Sequence, residues 1–128
     1  MCNPKIDKTI LIVDDDDDSR IICERELRCA GYDTHSASSG AEALQLLSTN
    51  RRVDLIVLDI KMPTMDGIEV LKKLRAKNIS LPVILYSDYS TCRSNFLSWL
   101  ADAYLVKSSD TTKLKEKVKE LLNLSGSP

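Results

Sequence analysis

Four short apolar runs, rich in β-branched or aromatic residues, punctuate this chain: Ile10-Leu11-Ile12-Val13, Leu55-Ile56-Val57-Leu58, Val83-Ile84-Leu85-Tyr86 and Ala103-Tyr104-Leu105-Val106. Each is bounded by polar or turn residues and reads as a strand buried on both faces. A weaker, more polar segment, Tyr32 to Ala37, suits a sheet edge. Helical periods fill the gaps: Cys23, Leu27 and Ala30 ahead of Gly31; Ala43, Leu44 and Leu47 after a Ser39-x-x-Glu42 capping box; Val70, Leu71 and Leu74. Cys92, Phe96 and Trp99 or Leu100 only sketch another. The last helix carries Leu114, Val118, Leu121 and Leu122 on one face and lysines on the other, and is expected to end near Asn123. Strict alternation of strand and helix predicts an α/β fold, a parallel sheet with helices on both sides, because parallel neighbours need long right-handed crossovers.

A chain of 128 residues suits one domain, with a core from about residue 8 to 123 and short disordered ends. With 18 basic and 19 acidic residues it has no broad basic field, so direct nucleic-acid binding is not expected. No apolar run is long enough for a membrane span or an export signal, and a cytoplasmic location is expected. Cys2, Cys23, Cys29 and Cys92 form no Cys-x-x-Cys pair, which fits reduced thiols.

In such folds ligands bind at the carboxyl ends of the strands. Those ends carry Asp14 to Asp18, Asp59, Ser87-Asp88 and Lys107. Carboxylates gathered so closely repel one another unless protonated or neutralised by a cation. Magnesium is the natural guest, since its octahedral shell takes one or two carboxylates and leaves places for phosphate oxygens. A carboxylate beside it can attack phosphorus, and the charge on the transferring oxygens then needs a metal, a hydroxyl and an ammonium around it.

The blocks Ile10 to Asp15, Asp54-Leu55-Ile56-Val57-Leu58-Asp59-Ile60-Lys61-Met62-Pro63-Thr64-Met65-Asp66-Gly67, Pro82 to Ser87 and Ala103 to Lys107 resemble a response-regulator receiver domain of two-component signalling, of the stand-alone, chemotaxis-regulator-like kind. The resemblance covers nearly the whole chain. It implies a flavodoxin-like doubly wound sheet of five parallel strands, order 2-1-3-4-5, with five helices. It makes Asp59 the phosphoacceptor. Asp14 and Asp15 become the acidic pair that holds magnesium, Asp15 more directly and Asp14 largely through water, and the Lys61 main-chain carbonyl becomes a further ligand. Ser87 matches the hydroxyl that bonds the acquired phosphoryl group, and Lys107 the cation that pairs with it. Tyr104 matches the aromatic that changes rotamer as Ser87 is drawn inward, rearranging the surface of the fourth helix, fifth strand and fifth helix. The implied activity is signalling, with catalysis limited to the chain's own phosphorylation and dephosphorylation. The implied partners are a sensor histidine kinase or phosphotransfer protein and a downstream target protein, the chain itself being a monomer or a phosphorylation-dependent dimer.

Three features depart from the family pattern. Asp88 stands where a small residue is usual, which places a negative charge near the incoming phosphoryl group. Ser108 follows Lys107 where a proline usually fixes a cis peptide, and a cis bond without proline costs about 3 kcal/mol, so trans and strained cis are both open. The stretch from Ser87 to Lys107 is slightly short.

Other readings compete. Asp16 to Asp18, taken alone, are a solvated loop and a helix N-terminus that welcomes negative charge. Tyr104 alone suits a half-buried strand residue, and His35 the surface of the edge strand. Asp14-x-Asp16 after a buried strand resembles the first motif of aspartate-nucleophile phosphohydrolases of the haloacid-dehalogenase family, but Asp18 stands where that family has Thr or Val. An EF-hand calcium loop from Asp14 fails at Ser19 and Arg25, where Gly and Glu are required. Within the receiver reading, a phosphorelay intermediate that passes phosphate to another histidine is the alternative to an output that docks on a target.

Overall fold

The structure, a computed structural model, describes residues 4–49, 52–60, 62, 67–87, 101–108 and 110–126, with the backbone alone for 123–126. Five strands, β1 (Thr9–Val13), β2 (Asp33–Ala37), β3 (Leu55–Leu58), β4 (Val83–Ser87) and β5 (Ala103–Val106), alternate with α1 (Asp17–Cys29), α2 (Gly40–Ser48), α3 (Gly67–Ala76) and α4 (Thr112–Gly126). All neighbouring strands are parallel and lie in the order β2-β1-β3-β4-β5, as expected. The polar strand β2 occupies an edge, and His35 is half-buried there opposite Leu11. The helix sketched between β4 and β5 lies outside the described residues, so four helices are described where five were expected.

Side-chain alternation along the strands builds two cores. Leu11, Val13, Ile56, Leu58, Val83 and Leu85 face α2 and α3, whose Ala43, Val70, Leu71 and Leu74 cover them. Ile10, Ile12, Leu55, Val57, Ile84 and Tyr86 face the other way, against Cys23 and Leu27 of α1 and Leu114 and Val118 of α4. Because β1, β3 and β4 are covered on both faces, they are buried at every position, and all but Thr9 and Ser87 at their outer ends are apolar or aromatic.

Helix starts follow the capping chemistry. Ser39 accepts the Glu42 N–H at 3.1 Å, forming the expected N-cap of α2. Asp16 caps α1 by accepting the Asp18 N–H at 3.2 Å, and Asp17 and Asp18 sit in the first turn, where the helix dipole favours them. Gly31 ends α1 with φ of +109°, a conformation that glycine adopts without strain. The last helix runs three residues past the expected end near Asn123, to Gly126. Serine and glycine lower helix propensity without forbidding the helical turn, so the polar tail continues it.

Candidate functional site

The carboxyl ends of β1, β3, β4 and β5 bring Asp14, Asp15, Asp59, Ser87 and Lys107 to one edge. Parallel registration does this directly. The Asp14 N–H donates to the carbonyl of Ala37 at 3.1 Å, the Asp59 N–H to Val13 at 2.9 Å and the Lys107 N–H to Ser87 at 2.7 Å, so each residue continues the ladder just beyond its strand. Asp14 and Asp59 are only 4% and 8% exposed, and Ser87 is fully buried, while Asp15 faces solvent.

One oxygen from each of Asp14, Asp15 and Asp59 lies within 4.8 Å of the others. Lys107 reaches over them, with Nζ 2.7 Å from Asp14 Oδ2 and 3.6 Å from Asp59 Oδ2. Burial pushes the Asp14 carboxyl up, but hydrogen bonds from Lys107, the Asp16 N–H and Ser19, with the charge of Lys107, outweigh it and hold the group below its ordinary value. Asp14 therefore stays ionised, its Oδ1 accepting the Asp16 N–H at 3.0 Å. The donor set suits a hard, oxygen-seeking dication: three carboxylate oxygens in mutual reach, no sulfur or imidazole among them. Beside the site a cavity of 480 Å³ is lined by Asp16, Ser19, Cys23, Tyr86, Lys107 and Thr111, among others.

Gly67 is part of the site although it carries no chemistry. A Cβ there would lie 2.2 Å from the Asp59 carbonyl oxygen and 2.9 Å from the Ile60 Cα, and the Gly67 N–H donates to the Ile60 carbonyl at 2.7 Å. The start of α3 thus rests directly on the main chain of Asp59. The glycine of the Asp66-Gly67 pair was the available signal, though its steric purpose needed the fold. Arg20 and Ser19 are both engaged with Asp14; from the sequence Arg20 had no assigned role and Ser19 only that of excluding a calcium loop.

Of the departures, the peptide following Lys107 is trans, since no cis bond occurs among the described residues. The Ser108 hydroxyl accepts the Asp110 N–H and donates to the Asp110 carbonyl, both at 3.0 Å, closing the turn into α4. Tyr104 is half-buried against the core that faces α2 and α3. Asp88, Lys61 and Cys92 lie outside the described residues.

Comparison with known proteins agrees with this geometry. The family model described as the response regulator receiver domain matches residues 10–119, and the chain belongs to that family. The transcriptional regulatory protein PrrA of Mycobacterium bovis is 43% identical over 120 residues, covering 92% of this chain and 51% of the relative. The alkaline phosphatase synthesis regulator PhoP of Bacillus subtilis is 35% identical over 122 residues, covering 94% and 50%. This chain therefore spans about half the length of the curated relatives it matches. Among solved structures, the response regulator TrrA of Thermotoga maritima in complex with Mg(2+)-BeF superposes with a TM-score of 0.84 at 44% identity, covering 89% of this chain and 98% of that one. TrrA in complex with the histidine kinase ThkA gives 0.83 at 43%, covering 90% and 98%.

Proposed function

We propose that this chain takes a phosphoryl group from the phosphohistidine of a sensor histidine kinase, or of a phosphotransfer protein, onto Asp59 and reports its presence to a target protein through a changed surface. The observation that carries this reading is the gathering of three carboxylates under one lysine, at the sheet edge where this fold places its chemistry. TrrA, crystallised with Mg(2+)-BeF and with a histidine kinase, supplies the analogy.

Asp14, Asp15 and Asp59 would hold Mg2+, with the Lys61 carbonyl as the further ligand the family resemblance implies. When bound, the ion offsets the charge of the carboxylates and of the incoming phosphoryl oxygens. An Asp59 carboxylate oxygen bonds to phosphorus as the phosphorus–nitrogen bond to histidine breaks, and the electron pair leaves on the imidazole. Lys107 stands close enough to Asp59 to pair with the group it acquires. Ser87, buried at the end of β4, presents the hydroxyl for another phosphoryl oxygen, and Tyr104 on β5 is the aromatic whose rotamer follows. Asp88 and Ser108 are the positions at which this chain departs from its family, and they modulate the rate and lifetime of the phosphorylated state. Catalysis by the chain is confined to gaining and losing its own phosphate, in the cytoplasm.

Intact-mass measurement with acetyl phosphate and magnesium tests this. One added phosphoryl group is expected on the parent and none on Asp59→Asn. Equal addition to both would end the proposal, and trapping of phosphate on Asp14 would favour the phosphohydrolase reading instead.

A further inference from the structure

Arg20, in the first turn of α1, takes no part in the steps above. Its side chain is only 16% exposed. Nη1 donates to the main-chain carbonyl oxygen of Asp14 at 2.8 Å, while Nη2 donates to the Asp17 carboxylate. A planar guanidinium holds two acceptors in fixed relation, which an ammonium cannot do.

The carbonyl of Asp14 belongs to the same planar peptide unit as the N–H of Asp15. Holding that oxygen fixes the plane, and with it the direction in which the Asp15 side chain leaves the backbone. The Asp14 carboxylate has other anchors, the Asp16 N–H and Lys107. Among the described residues no hydrogen bond or ion pair holds the Asp15 carboxylate, so its placement depends on its backbone. We propose that Arg20 is a positioning residue for the divalent-cation site, clamping the Asp14–Asp15 peptide so that Asp15 meets the ion together with Asp14 and Asp59. This rests on the reading of those three carboxylates as that site.

Two effects of Arg20 oppose each other, which makes the sign of a measurement decisive. As a nearby cation it repels an incoming dication. As a clamp it spares the ion the cost of ordering the loop, and groups that orient metal ligands contribute about 10- to 100-fold in affinity. The clamp reading requires the second effect to prevail.

Isothermal titration of the full chain with magnesium chloride, beside thermal melts and acetyl-phosphate labelling, separates the two. Arg20→Gln is expected to raise the Mg2+ Kd about tenfold, with labelling at saturating Mg2+ within about twofold of the parent, because Asp59, Ser87 and Lys107 are untouched. Arg20→Lys keeps the charge without the two-armed grip and recovers at most part of the loss. Asp17→Asn, an exposed change that loosens one arm, raises Kd in the same direction by about threefold. Unchanged or tighter binding by Arg20→Gln overturns the clamp, as does a lower melting temperature with Kd unmoved. A parent that binds no Mg2+ and takes no label overturns the site itself, and the clamp with it.

Discussion

The two ends of the sheet use the same residue type to opposite purpose. At the amino end, Asp54 accepts the Thr9 N–H at 2.8 Å and pairs with Arg52 at 3.2 Å; Asp102 accepts the Val83 N–H at 2.8 Å and pairs with Arg75 at 3.4 Å. Each of these carboxylates has an arginine beside it and its own backbone donor, and Arg52 reaches Asp7 as well, at 3.1 Å. At the carboxyl end, Asp14, Asp15 and Asp59 crowd together, and Lys107 is shared between two of them. Where an arginine and a backbone N–H answer each carboxylate, an aspartate fastens one strand to the next. Where negative charge is left in excess, it is held ready for something that arrives.

Exchanging one carboxylate at each end tests that contrast most severely. Asp59→Asn should lose all acyl-phosphate labelling, yet melt in metal-free buffer at or above the parent's temperature, since one member of a repelling cluster is gone. Asp54→Asn should keep its labelling and lose about 1 kcal/mol in urea unfolding, because the part-buried Thr9 N–H loses its charged acceptor while the exposed Arg52 keeps Asp7. Reversal of either stability sign would erase the distinction between the two ends.

Magnesium sharpens it further. A ligand held by the folded state alone stabilises by about 2.7 kcal/mol at one hundred times its Kd. The parent and Asp54→Asn should gain equally from saturating magnesium chloride in thermal melts, and Asp59→Asn distinctly less. Equal gains in all three would place the ion elsewhere.

The smallest effect is that of acid. The carboxyl of Asp14 is held below its ordinary value, so its contribution to metal-free stability is fully present above about pH 4 and disappears as pH falls through the lowered value in the fold. Asp14→Asn should flatten that acid limb of the stability profile, and an unaltered limb would show that its pairing with Lys107 adds nothing. Cys23 offers a separate check on burial: its thiol, pushed up to about 12 by desolvation first and by the nearby Asp14 charge next, should resist alkylation at neutral pH far longer than the less buried Cys29.

Much of this was legible in the chain. Strand runs apolar at every position announced a doubly covered parallel sheet, and the family resemblance supplied the strand order. That fold rule brought Asp14, Asp59 and Lys107 to one edge before any distance was known. What escaped was whatever depends on the meeting of main chain and side chain across a turn. The Arg20 grip on the Asp14 carbonyl has no periodicity to betray it, and the roles of Asp54 and Asp102 arise only when strands distant in sequence lie side by side. The nearer approach of Lys107 to Asp14 than to Asp59 is a difference of under an ångström, which residue types do not encode.

The bare contact between Gly67 and the Asp59 main chain carries a consequence for variation in this gene. On the proposed function, every ionisable group of the site can be left intact and phosphorylation still lost: a single methyl at position 67 would meet the Asp59 carbonyl oxygen at 2.2 Å, and the backbone that presents Asp59 would have to give way. An alanine allele there is expected to behave as a null, invisible to any inventory of charged residues.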